Sequence, residues 1–95
     1  MEYFFLYILR CSDGSFYVGH TENLDKRLAE HQAGTGAVYT SKRLPVKLVF
    51  SELFANRDDA FVAERKIKGW SRKKKEAFIA GDWEKICLFA KSKNG

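Results

Sequence analysis

The sequence predicts an α+β fold, a three-stranded antiparallel sheet flanked by helices in the order ββαβααα. Three observations predict it. Residues 3–9, YFFLYIL, are apolar at odd and even positions alike, as in a strand covered on both faces. The turn signal Ser12-Asp13-Gly14-Ser15 separates that run from a second short one, SFYVG at 15–19, so the two form an antiparallel hairpin. Helical patterns then surround a single further strand instead of alternating with strands, which excludes a doubly wound sheet. A chain of 95 residues forms one domain, here taken as 1–95.

The first strand presents Tyr3, Phe5, Tyr7, Leu9 and Cys11 on one face and Phe4, Leu6 and Ile8 on the other, so it is expected at the centre of the sheet. The hairpin loop has two possible forms. A two-residue Asp13-Gly14 turn puts Tyr7 and Tyr17 on opposite faces. A three-residue Ser12-Asp13-Gly14 loop, with Gly14 left-handed, places Leu9 opposite Tyr17, Tyr7 opposite Gly19, and both tyrosines on one face.

The next element is a helix over 23–33, with Asn23 as N-cap and Gly34 just past its end. Leu24 and Leu28 are its core contacts. Asn23, Arg27 and His31 repeat at i, i+4 and i+8 and line a neighbouring stripe. Residues 34–45 read as a polar, glycine-rich loop before Pro45. Residues 46–54 read as the third strand, with Val46, Leu48, Phe50 and Glu52 alternating with Lys47, Val49, Ser51 and Leu53. A second helix runs from an Asn56 cap to about Lys68, with Asp58 and Asp59 in its first turn, where the dipole favours acids. Ser71 caps a third helix over 72–80, and Asp82 caps a fourth over 83–91.

Composition narrows the function. With 45% hydrophobic and 15% aromatic residues the chain folds and is not a disordered tail. Its longest apolar run is far short of the ~20 residues that span a bilayer. That run lacks a basic start and a small-residue cleavage site, so a cytoplasmic protein with no membrane partner is expected. Cys11 and Cys87 are isolated, with no CxxC pair and no histidine at ligand spacing, which argues for small buried hydrophobes over zinc or disulfide chemistry. The formal charge is +5, and seven of the seventeen basic residues fall in RKIKGWSRKKK at 65–75, a stretch without an acid. Such a stretch either neutralises nucleic-acid phosphates or is a solvated helix face.

One residue stands out of place. In the second helix the apolar positions are Ala60, Phe61 and Ile67, and Glu64 falls on the same face. A core-facing carboxylate costs several kcal/mol unless it is paired or binds a metal. Structural pairing, with Arg27 as a candidate partner, and a metal or catalytic site explain it equally well.

The pattern resembles the GIY-YIG nuclease domain over nearly the whole chain. Tyr17-Val18-Gly19 stands for YIG. Phe5-Leu6-Tyr7 stands for GIY and keeps its tyrosine alone. NLDKRLAEH keeps the Asn-Leu followed by Arg-x-x-x-His, and Glu64 to Lys68 keep E-x-x-I-K. The downstream GWSRKKK is similar to that of the small stand-alone bacterial subfamily of YhbQ-like (UPF0213) proteins.

The resemblance implies a divalent-metal-dependent endonuclease that hydrolyses phosphodiester bonds in DNA, with Mg2+ or Mn2+ and no other small-molecule cofactor. It implies that Glu64 holds the metal, that Tyr17 is the general base with Tyr7 beside it, that Arg27 supplies the charge favouring the ionised tyrosine and grips the phosphate, and that His31 orients water or moves a proton. Gly19, His20 and Asn23 are expected in support, Gly19 by leaving room for substrate. His20 stands where some relatives place a lysine that helps activate the tyrosine. Homing and repair members carry a second histidine or a late asparagine, neither of which is found here, and Thr40 or Ser41 is expected to fill part of that space. Arg65, Lys66, Lys68, Arg72, Lys73, Lys74 and Lys75 are expected to contact the nucleic-acid backbone. A non-catalytic nucleic-acid-binding module of the same fold is the alternative, and a scaffold with a structural Arg27–Glu64 pair is a third. Oligomeric state is not specified.

Overall fold

The computed structural model describes residues 3–81. The helix expected over 83–91, and with it Cys87, lies outside the described residues. The elements are β1 (Phe4–Arg10), β2 (Phe16–Thr21), α1 (Leu24–Gln32), α2 (Val38–Ser41), β3 (Lys47–Phe54), α3 (Arg57–Lys68) and α4 (Arg72–Ala80). The sheet is antiparallel in the order β2-β1-β3, so β1 is central as its two apolar faces require.

The hairpin takes the three-residue form. Cys11 N–H donates to the Ser15 carbonyl at 2.8 Å, and Gly14 N–H to the Cys11 carbonyl at 2.9 Å. Gly14 has φ +83°, which the loop requires and which few other residues adopt. Asp13 braces the turn by accepting from the Ser15 N–H and hydroxyl at 3.0 and 2.6 Å. In the resulting register Leu9 faces Tyr17 and Tyr7 faces Gly19.

Two elements differ from the sequence reading. The 34–45 loop contains the short helix α2, a single turn whose Val38 and Thr40 are β-branched and give no helical signal. The strict alternation expected in β3 is broken by a register shift: Ile8 pairs with Phe50 and Leu9 with Leu48, so Val49 is an extra residue. Val46 and Leu48 therefore pack with Tyr7, Leu9 and Cys11, while Val49 and Phe50 pack on the other face with Leu6 and Ile8.

The sheet is thus a middle layer. Leu24 and Leu28 of α1 cover the Tyr7 face, and Ala63 and Ile67 of α3 with Phe78 and Ile79 of α4 cover the Leu6 face. Leu6, Ile8 and Leu9 are wholly buried, each worth roughly 1.5–3 kcal/mol of hydrophobic stabilisation. α1 and α3 start from asparagine caps, Asn23 accepting from Lys26 N–H at 3.1 Å and Asn56 from Asp59 N–H at 2.8 Å.

Candidate active site

Tyr7, Tyr17, Arg27 and His31 meet on the α1 side of the sheet. β1 and β2 bring the tyrosine rings to a centroid distance of 6.3 Å, and the His31 ring lies 5.6 Å from Tyr7 and 5.1 Å from Tyr17. Tyr7 and His31 are both buried, and their hydrogen bonds run in one direction. Thr40 donates its hydroxyl proton to the Ala37 carbonyl at 3.2 Å, so its oxygen accepts from His31 Nδ1–H at 2.8 Å. That leaves His31 Nε2 as the acceptor for the Tyr7 hydroxyl at 2.8 Å, and the Tyr7 oxygen accepts from Arg27 Nε at 3.4 Å. Burial, more than any neighbouring charge, pushes the Tyr7 phenol up to about 12. Burial also pushes the His31 imidazole down, aided by the Arg27 charge. Tyr7 is therefore a locked proton donor, and His31 is enclosed behind it with both ring nitrogens in use.

Two glycines make this packing possible. A Cβ on Gly19 would stand 2.6 Å from the Tyr7 hydroxyl oxygen, so the space left by Gly19 is filled by Tyr7 and not by a substrate. A Cβ on Gly36 would stand 2.6 Å from His31 Nδ1, and the Gly36 carbonyl accepts from Arg27 Nη2 at 2.8 Å. Arg27 Nη1 also reaches Glu30 at 3.3 Å, and the arginine side chain is about one-third exposed.

Glu64 arrives from the other side. On α3 it forms a buried line with Ala60 and Ile67, while Phe61, expected on the apolar face, is 43% exposed and sits edge-on to His20 at 5.8 Å. The Glu64 partner is His20, not Arg27: Oε1 lies 2.8 Å from His20 Nδ1, and Oε2 lies 3.3 Å from Lys68 Nζ. His20 alternates with Tyr17 and Gly19 along β2 and so faces α3. Because β2 is an edge strand, the two groups meet around its rim. Lys68 spans that rim, its Nζ being 5.9 Å from the Tyr17 ring centroid. The Tyr17 hydroxyl makes no hydrogen bond to the described residues, and the ring of Tyr39 flanks it at 6.2 Å.

The remaining sequence-selected residues are placed as follows. Asn23 is the α1 cap. Among the basic residues, Arg65 lies over Phe61 at 5.7 Å and Lys74 over Trp70 at 4.4 Å, and Arg72 pairs with Glu76 at 3.0 Å. Lys75 is half-buried, which pushes its ammonium down. Lys66 and Lys73 are exposed and have no ion pair among the described residues. Thr40 and Gly36 carry more of the architecture than sequence reasoning assigned to them. The signal available was weak: a glycine and a threonine in GTGAVYT, with no periodicity to attach them to His31.

No group of three or more His, Cys, Asp or Glu side chains that could hold a metal occurs among the described residues. The donor set is one carboxylate beside a half-exposed lysine, Lys68. That suits a hydrated hard cation taking one protein oxygen and finding its other ligands in water and phosphate, and does not suit a metal caged by protein.

Known proteins share this arrangement of elements and sequence. The model of the GIY-YIG catalytic domain matches residues 3–77. The chain belongs to the GIY-YIG nuclease superfamily. Within it, this domain is similar to UPF0213 proteins. It is 47% identical to one from Bacillus pumilus over 79% of this chain and 76% of that protein. It is 45% identical to one from Natronomonas pharaonis over 82% of this chain and 92% of that protein. A solution structure of a protein from E. faecalis matches with TM-score 0.58 and 42% identity, covering 85% of this chain and 90% of that one. A UPF0213 protein of Bacillus halodurans matches with TM-score 0.55 and 40% identity, covering 82% and 83%. Membership in a nuclease superfamily points to a nucleic-acid substrate. No helix among the described residues of this GIY-YIG domain is long and apolar enough to cross a membrane.

Proposed function

We propose that this GIY-YIG domain hydrolyses phosphodiester bonds in DNA with Mg2+ or Mn2+ held at Glu64. The observation that carries this reading is the gathering of Tyr17, Arg27, Lys68 and Glu64 around the rim of β2, with the supporting Tyr7–His31–Thr40 chain buried behind them. A bound divalent cation supplies charge that polarises the phosphoryl oxygen and stabilises the leaving oxyanion. Arg27, whose side chain is about one-third exposed, grips the phosphate with its guanidinium. Tyr17 takes the proton of the attacking water, which a phenol does only from its ionised form. The Lys68 ammonium, 5.9 Å from the Tyr17 ring centroid, joins in stabilising negative charge there, a task the resemblance gave to Arg27 and, in some relatives, to a lysine at position 20. Tyr7 does not compete for that role, because its proton is committed to His31.

The test is cleavage of single-stranded, nicked and branched DNA with Mg2+ or Mn2+, comparing the protein with Glu64→Gln and Tyr17→Phe. Metal-dependent cutting that both substitutions reduce by about 100-fold or more is expected. No cutting of any substrate, or undiminished cutting by Glu64→Gln, rules the reading out.

A non-catalytic binding module is the second reading. It is favoured by the fact that both Glu64 oxygens already have partners, the His20 ring nitrogen and the Lys68 ammonium. It predicts salt-sensitive DNA binding that Glu64→Gln leaves intact and no cleavage under any metal.

A further inference from the structure

A cleft of about 410 Å3 opens at the end of the sheet where β1 begins and β2 ends, between the first turns of α1 and α3. His20 and Arg27 form part of its wall. Their remaining contacts run into the candidate site, His20 to Glu64 and Arg27 to the Tyr7 hydroxyl. The cleft and the site are therefore contiguous.

Lys26, Arg57 and Phe4 complete the argument. All three line the cleft, and the Arg57 guanidinium lies 5.4 Å from the Phe4 ring centroid. Neither Lys26 nor Arg57 has an ion-pair partner among the described residues. Both stand in the first turn of a helix, where the dipole works against a cation. Helix stability therefore does not account for them. Two acids also line the cleft, Glu22 and Glu30, but Arg27 holds Glu30 at 3.3 Å. Lys26 and Arg57 then outweigh Glu22, leaving positive charge beside an aromatic wall.

We propose that this cleft holds one unpaired nucleotide of the substrate strand, next to the bond that is cut, so that strands which are single or frayed at that point are selected. The proposal rests on the nuclease reading above. Its volume of about 410 Å3 lies within the ~300–1,000 Å3 of small-ligand sites. A splayed nucleotide enters such a concavity, whereas the convex surface of a duplex does not. Lys26 and Arg57 take the phosphate, and Phe4 takes the apolar face of the base or sugar.

The experiment is fluorescence anisotropy on the full chain in EDTA, with a short oligothymidylate and a blunt duplex of equal length as probes. The oligothymidylate is expected to bind about tenfold tighter than the duplex. The double substitution Lys26→Gln, Arg57→Gln is expected to remove that preference and to lower the single-strand salt slope by roughly 0.7, the value for one phosphate contact. The matched loss of charge at the far end of the sheet, Arg10→Gln with Lys47→Gln, is expected to leave the preference in place. Equal binding of both probes by the unaltered protein, or a preference that survives the Lys26, Arg57 change, overturns the proposal whether or not the protein cuts DNA. A preference that depends on Lys26 and Arg57, in a protein that cuts nothing with Mg2+ or Mn2+, supports the cleft and overturns the nuclease reading instead.

Discussion

His20 Nδ1 meets Glu64 Oε1 at 2.8 Å, and this contact joins β2 to α3 through two residues 44 positions apart. It holds a nearly buried carboxylate against the edge strand whose opposite face carries Tyr17.

Removing His20 leaves Glu64 with the half-exposed Lys68 as its one side-chain partner among the described residues. His20→Ala is expected to cost about 1–2 kcal/mol, the low end for a charge-assisted bond because His20 is partly exposed. His20→Asn, which keeps a donor, recovers part of that. Urea denaturation of the three proteins measures it, and identical midpoints would show the contact to be energetically idle.

Gly19→Ala forces a methyl group against the Tyr7 hydroxyl and Cζ, at 2.6 and 2.7 Å. Tyr7 cannot swing aside while His31 and Arg27 hold it. Destabilisation of about 1–3 kcal/mol is expected. Combining it with Tyr7→Phe removes the oxygen but not the ring, so the pair should be less harmful than the sum of the two. Strict additivity in a double-mutant cycle would contradict this packing.

Thr40→Val keeps the shape of the side chain but strands the buried His31 Nδ1–H, at a cost of about 1–3 kcal/mol. Thr40→Ser keeps the acceptor and costs less. Comparing their thermal unfolding separates lost hydrogen bonding from lost packing, and equal losses would show that the Thr40–His31 hydrogen bond contributes nothing.

His31 also makes stability depend on pH. Its folded value lies below the ordinary 6.5, so the unfolded chain binds a proton more readily. Its contribution is complete above about pH 6.5 and is lost as pH falls from there through the lowered folded value. Tyr7 acts at the alkaline end. Its phenol is raised from 10.0 to about 12, so the unfolded chain gives up the proton first, and stability falls as pH rises from about 10 toward 12. Unfolding midpoints across pH 5–8 for the protein and His31→Gln, with tyrosinate absorbance above pH 9, check both signs. An acid slope unchanged by His31→Gln, or four tyrosines that all ionise near 10, would count against burial as the cause.

Much of the fold was legible locally. The two apolar faces of residues 4–10 demanded a central strand, and asparagine and serine caps with glycine stops bounded α1, α3 and α4. The anomaly at Glu64 was visible as a carboxylate in a helix's apolar line. Helix α2 was not legible, because one turn rich in β-branched residues has no period to read. The bulge at Val49 was not legible either, since it depends on pairing with β1.

The sequence by itself determined the strands, the main helices, the burial of Glu64 and the family whose motifs carry Tyr17, Arg27 and His31. Only the tertiary structure decided who meets whom. It selected the loop form that brings Tyr7 and Tyr17 together, gave Glu64 to His20 and Lys68 rather than to Arg27, and filled the space at Gly19 with Tyr7. The physical reason is that periodicity reports which face a side chain occupies, while partners are set by which faces pack together. That packing is a property of the whole sheet with its helices, and no local window of the chain contains it.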